Sequence, residues 1–244
     1  MAGWLRTWKR KRMLNMEFPP AWVPTVKHLP FYRRLASDLQ QRFKDYLKIF
    51  MWEKQFFGAG GLTITDEHRV VISASAIRLI LFLDLTYYDE LAEIVVYPYT
   101  FKNPKEEDPR SGEAHRFGTV VLSWPAVVEG LRYECDGHDT ALHEFAHVLD
   151  KEGGSFDGTP RLRATEHYRP WAEVMSRNFL ALQAGNTPQR LVLREYGATN
   201  EAEFFAVATE SFFERPRNMK TLTPDLYEEL RRFYGFDPAA DSAC

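Results

Sequence analysis

The sequence predicts a mostly helical α+β protein. Three observations lead there. Residues 31–57 carry apolar side chains at helical spacing, with no glycine or proline inside. Two short β-branched runs, at residues 93–97 and 120–122, lie close together in the first half. From residue 139 onward the chain reads as successive helices separated by glycine, proline and asparagine.

In order, residues 29–57 form the first long helix, which the Gly58-Ala59-Gly60-Gly61 segment ends. Residues 66–84 form a second apolar segment, helical because ASAIRLILFL is rich in good helix formers. EIVVY at 93–97 is a strand bounded by Pro98. Val120, Val121 and Leu122 are the centre of another, ended by Pro125. Between them, residues 100–118 are long, polar and carry two prolines. A loop of that length is uncommon without a function, so it is either a lid over a cleft or a surface excursion. Residues 139–150 are a helix with Asp139 as N-cap and Gly153-Gly154 behind it. Further helices cover 170–182, 200–214 (stopped by Pro216) and 226–233.

The chain has 244 residues, enough for one large domain. Residues 1–28 read as a basic tail and lead-in, and 29–244 as a single domain. With 45% hydrophobic residues the bulk of the chain can offset its ordering entropy. The net charge of −3 disfavours direct nucleic-acid binding as the main task. No apolar stretch reaches the roughly 20 residues of a membrane span. Cys135 and Cys244 cannot build a disulfide framework, so free thiols, with Cys135 a small buried residue, and a cytoplasmic location are expected. The N-terminus carries Arg6, Lys9, Arg10, Lys11 and Arg12 with no acid in the first sixteen residues. It is either a solvated charge run or, with Trp4 and Trp8, a segment that touches an anionic lipid surface.

The chemistry concentrates in His143-Glu144-Phe145-Ala146-His147, an H-E-x-x-H pattern. On a helix, positions four apart share one face, so the two imidazoles can bind one metal ion. Glu144 lies about 100° further round. It cannot be the natural third ligand, but it can take a proton from a metal-held water. A buried apolar helix does not carry such polar groups unless something satisfies them. The third ligand must come from elsewhere. Candidates are Glu195, Glu201, Glu203, Glu210 and Glu214, with Asp150 and His167 nearer. On the 200–214 helix, Glu203, Ala206, Val207 and Glu210 share a stripe. That leaves Glu203 and Glu210 as equal candidates, and Asn200-x-x-Glu203 also resembles a capping box.

HEFAHVLDKEGG followed by EYGATNEAEFFAVATESFFERP resembles the Mlc titration factor A family of bacterial zinc peptidases. EIVVYPYTF and SGEAHRFGTVVLSW extend the resemblance. The resemblance implies a zincin-like, gluzincin-type metallopeptidase fold with a small sheet preceding the HExxH helix, its core similar to anthrax lethal factor. It implies one Zn²⁺ per chain held by His143, His147 and Glu203, with Glu144 as general base. Tyr196 then matches a tyrosine facing the metal, able to donate to an oxyanion. Glu210 becomes a residue that orients a histidine ligand, and Asp150, on the face of His143, a second such candidate. By analogy of fold, the strand around residues 120–123 would pair with an extended peptide substrate. Two functions follow. One is a peptidase, whether trimming ends as an aminopeptidase does or cutting internally. The other is a regulator that binds and inactivates a glucose-responsive, Mlc-like transcriptional repressor, with weak or no proteolysis.

Overall fold

The structure, a computed structural model, describes residues 2–102, 109–110, 112–115, 118–154 and 156–241. It is mostly helical around a small four-stranded sheet, with a separate two-stranded ribbon that pairs Phe101–Lys102 with Pro109–Arg110. The sheet has three parallel strands, Gln55–Gly58, Glu93–Tyr97 and Thr119–Ser123, in that spatial order. Gly112–His115 joins its far edge antiparallel to Thr119–Ser123. Ile94, Val96, Val120 and Leu122 are fully buried beneath the helices.

The long first helix is shorter than its periodicity suggests. Helix Ser37–Glu53 is preceded by a separate turn of helix, Pro30–Arg34, because Leu35 and Ala36 are extended. At its other end Lys54 turns extended, and Gln55–Gly58 becomes a strand in register with residues 93–96. Aromatic Phe56 and Phe57 suit a pleated surface as well as a helix, and pairing with a distant strand decided between them.

Helix Asp66–Ile80, capped by Thr65, runs through the core with Val70, Ile72, Ala74, Ala76 and Ile77 wholly buried. The HExxH helix, Thr140–Glu152, packs on it and more extensively on helix Glu201–Glu214. Phe145 lies against Phe50 and Tyr88, with ring centroids 6.2 and 5.7 Å away. Helices Tyr168–Gln183 and Pro224–Tyr234 close the far side, where Trp171, Phe205 and Phe233 stack edge to face.

Of the stretch read as a lid or an excursion, residues 103–108, 111 and 116–117 lie outside the described residues. Its described part includes the edge strand Gly112–His115, which has no β-branched residue and is held in place by its neighbour. Cys135 is exposed rather than buried, at φ 88°, and no cysteine among the described residues is free. The thiol argument for a reducing compartment therefore lapses. Among the described residues no helix is long and apolar enough to cross a membrane.

The N-terminal basic segment is a helix, Ala2–Leu14, fastened to the body. Arg10 makes paired bonds of 2.8 Å to Glu53 and one of 2.6 Å to Asp89. Beside this cluster, the buried Lys54 ammonium donates to the carbonyls of Tyr88 (2.5 Å) and Leu91 (2.7 Å). Burial pushes this amine down to about 8, against the pull of Glu53. From pH 8 to about 10.4 the unfolded chain then holds a proton that the folded chain has released, so stability rises with pH in that window. Lys54→Met should flatten this rise by on the order of 2 kcal/mol between pH 8 and 10, whatever its overall stability. Urea midpoints measured across that range check it; the same slope in both proteins would refute it.

Candidate metal centre

Local sequence builds the first half of the site. Asp139 accepts the Leu142 amide at 3.0 Å and so starts the HExxH helix, and its own backbone is extended. Four residues on, His143 and His147 project from one face, their Nε2 atoms 3.2 Å apart. Both are buried.

The second half comes from helix Glu201–Glu214. Asn200 caps it by accepting the Glu203 amide at 2.9 Å. The capping reading of Glu203 thus holds for its backbone, while its carboxylate is directed elsewhere. Glu203 Oε2 lies 3.0 Å from His143 Nε2 and 3.4 Å from His147 Nε2. The three atoms form a triangle with edges of 3.0, 3.2 and 3.4 Å. Ligands of a tetrahedral zinc at about 2.05 Å stand about 3.3 Å apart (1.63 times the bond length). The donor set therefore fits a tetrahedral metal with one position open. Among the described residues it is the group of three or more such side chains placed to hold an ion.

Glu210 does not join this triangle. Its Oε1 lies 2.8 Å from the other ring nitrogen, His143 Nδ1. Its Oε2 accepts the Asp139 amide at 2.9 Å, and the Arg194 guanidinium donates to Oε1. Burial would raise this wholly buried carboxyl, but His143, Arg194 and the Asp139 amide together hold it below its ordinary value. Without a metal, burial opposes the protonated form of His143, but the carboxylates around it favour that form and outweigh burial; once a metal took Nε2, the ionised Glu210 would keep the remaining ring proton on Nδ1. Glu203 is likewise held well below the carboxylate range: burial opposes this, and hydrogen bonds from His143 and His147 outweigh it.

Glu144 is buried on the same helix. Burial raises its carboxyl, partly offset by the two histidines. Tyr196 sits on a single turn, Glu195–Ala198, half exposed, its ring centroid 6.0 Å from that of His143. Gly197 lets this turn approach the glutamate helix: a Cβ there would meet the Val207 side chain at 3.2 Å. Asp150 is fully buried and accepts the Gly158 amide at 3.0 Å through Oδ2. Its Oδ1 and the Nδ1 of His147, one helical turn back, are both buried without a hydrogen-bond partner. The other carboxylates lie elsewhere. Glu214 bonds Arg78 at 2.9 Å, Glu195 bonds Arg190 at 3.1 Å, and Glu201 is exposed.

Two features differ from the sequence reading. Strand Thr119–Ser123 cannot receive a substrate strand, because both its edges are already paired. The outer position belongs to Gly112–His115, which also packs beside the HExxH helix. Arg194 was missed. A wholly buried carboxylate demands a cation or several donors, so a reader who placed Glu210 inside would have sought one. Nothing local singles Arg194 out from the 31 lysines and arginines.

A histidine pair on one helix, a glutamate from a second, and a further glutamate beside them make this a protein of metallopeptidase type on a helical α+β frame. The chain belongs to the glucose-regulated metallo-peptidase M90 family, whose model matches residues 5–235. It is 36% identical to the protein slr2042 of Synechocystis sp., over 96% of this chain and 90% of that one. It is 25% identical to Mlc titration factor A of Yersinia pestis and of Yersinia pseudotuberculosis, over 98% of this chain and 92% of theirs.

Proposed function

We propose that this chain is a zinc-dependent peptidase of zincin-like fold. The observation that carries the proposal is the Nε2–Nε2–Oε2 triangle, whose edges suit a tetrahedral ion and leave one position open. His143, His147 and Glu203 would hold the metal, and the two-nitrogen, one-carboxylate set suits zinc. When bound, zinc supplies Lewis acidity to a carbonyl and lowers the pKa of a water. Glu144 takes the proton from the attacking water on its carboxylate and passes it to the leaving amine. The Tyr196 hydroxyl donates to the oxygen of the tetrahedral intermediate. Glu210, backed by Arg194, orients His143, and Asp150 is placed to do the same for His147. An extended peptide would lie along the outer edge of Gly112–His115.

The name of the Yersinia relatives favours a second reading. In it, the chain acts chiefly by binding and inactivating an Mlc-like repressor, with little hydrolysis. Both readings predict a bound metal; only the first predicts efficient turnover. The test is zinc stoichiometry by mass spectrometry, together with hydrolysis of chromogenic peptide and aminoacyl substrates before and after chelation. The peptidase reading expects one zinc per chain, activity abolished by the chelator, and recovery on zinc addition. Bound zinc with no turnover on any substrate favours the repressor reading. A protein that takes up no zinc after metal-replete purification overturns the ligand set.

A further inference from the structure

We infer that the N-terminal helix, Ala2–Leu14, is an interfacial docking element that seats the protein on an anionic lipid surface. Its inner side is committed to the protein. Arg10 binds Glu53 and Asp89, and Arg6 binds Asp89 at 2.7 Å. Met13 packs on the core, and the buried Lys48 ammonium holds the end of the helix through the carbonyls of Leu14 (3.0 Å) and Met16 (2.8 Å). The helix is thus fastened from Arg6 to its C-terminal end, and its orientation is set.

Its outer side has a different character. At 100° per residue, Trp4, Trp8, Leu5, Lys11 and Arg12 fall within an arc of about 120°, opposite Arg6, Arg10 and Met13. Trp4 is 74% exposed, Trp8 53% and Leu5 51%. Lys9, on the flank, stands over the ring of the half-exposed Trp52, 5.6 Å from its centroid. Tryptophan and leucine between exposed Lys9, Lys11 and Arg12 is the composition of helices that lie in the headgroup layer, where indole rings sit at the boundary and cations meet lipid phosphates.

Charge argues for the same occupant. The whole chain carries −3, so bulk attraction to an anionic surface is absent. The first sixteen residues hold five cations and no acid. Arg6 and Arg10 are neutralised by Asp89 and Glu53, which leaves three cations around the tryptophans. The tryptophans stand on the convex side of a single helix. Protein hot spots instead tend to bury tryptophan in a pocket of the partner, so a lipid surface fits better than a protein groove.

The test is co-sedimentation of the full chain with phosphatidylcholine vesicles, with and without about 30 mol% phosphatidylglycerol, read together with tryptophan emission. Binding to the anionic vesicles with a blue shift is expected, with little binding to phosphatidylcholine alone. Trp4→Ser with Trp8→Ser, and Lys9→Gln with Lys11→Gln and Arg12→Gln, should each weaken partitioning by at least roughly tenfold. Salt at about 0.5 M should weaken it similarly. These side chains face solvent, so both variants should melt as the parent does. Three results would overturn the inference. The anionic vesicles bind no protein, they bind the tryptophan variant equally, or the helix captures polyglutamate while ignoring vesicles, which would assign the face to an acidic protein.

Discussion

Glu144→Gln is expected to keep the metal and lose hydrolysis by roughly 10²–10⁴-fold in kcat. The substitution preserves shape and can still donate or accept a hydrogen bond, so the buried pocket around residue 144 need not collapse. What it removes is the ability to take a proton. Glu144 lies off the face that carries the two Nε2 atoms, and Glu203 completes the triangle without it. Metal stoichiometry should therefore stay at the parental value while turnover falls. Zinc content and kcat must be measured on the same preparation, because a partly demetallated sample would imitate the result. Equal turnover in parent and variant would remove Glu144 from the chemistry. A simultaneous loss of zinc would make it a ligand.

The second large effect separates the two glutamates on helix Glu201–Glu214. Glu203→Gln should abolish stoichiometric zinc binding, since it removes the negative charge that lies against both histidines. Glu210→Gln should weaken zinc by only about 10–100-fold, the usual cost of losing a partner behind a histidine ligand. The asymmetry follows from which ring edge each carboxylate meets: Glu203 faces Nε2 of His143, whereas Glu210 faces Nδ1. Competition with a chelator of known zinc affinity measures both. The reverse order, with zinc lost in Glu210→Gln and retained in Glu203→Gln, would exchange their roles.

The helices were legible where periodicity and caps are local. Asp139 and Asn200 act as the N-caps their positions suggest, each accepting the amide three residues on. The strand at 93–97 was legible from its β-branched residues and the proline that follows. The strand at 55–58 was not, because a helical stripe runs up to it and only its partner at 93–96 draws it out of the helix. The edge strand at 112–115 was hidden for a similar reason, since GEAH has no strand propensity of its own.

By itself the sequence determined the helix that carries His143, Glu144 and His147, because a spacing of four residues is converted to one face by the geometry of a single turn. It also narrowed the candidates for a third ligand to Glu203 and Glu210, one stripe of one helix. Only the tertiary structure set which of them meets which ring nitrogen. That relation spans 60 and 67 residues of chain and depends on how two helices pack. The same packing brought Arg194 to Glu210, and sheet pairing put Gly112–His115 outside Thr119–Ser123. Contacts over such separations follow from the shape of the whole core, which no window of sequence contains.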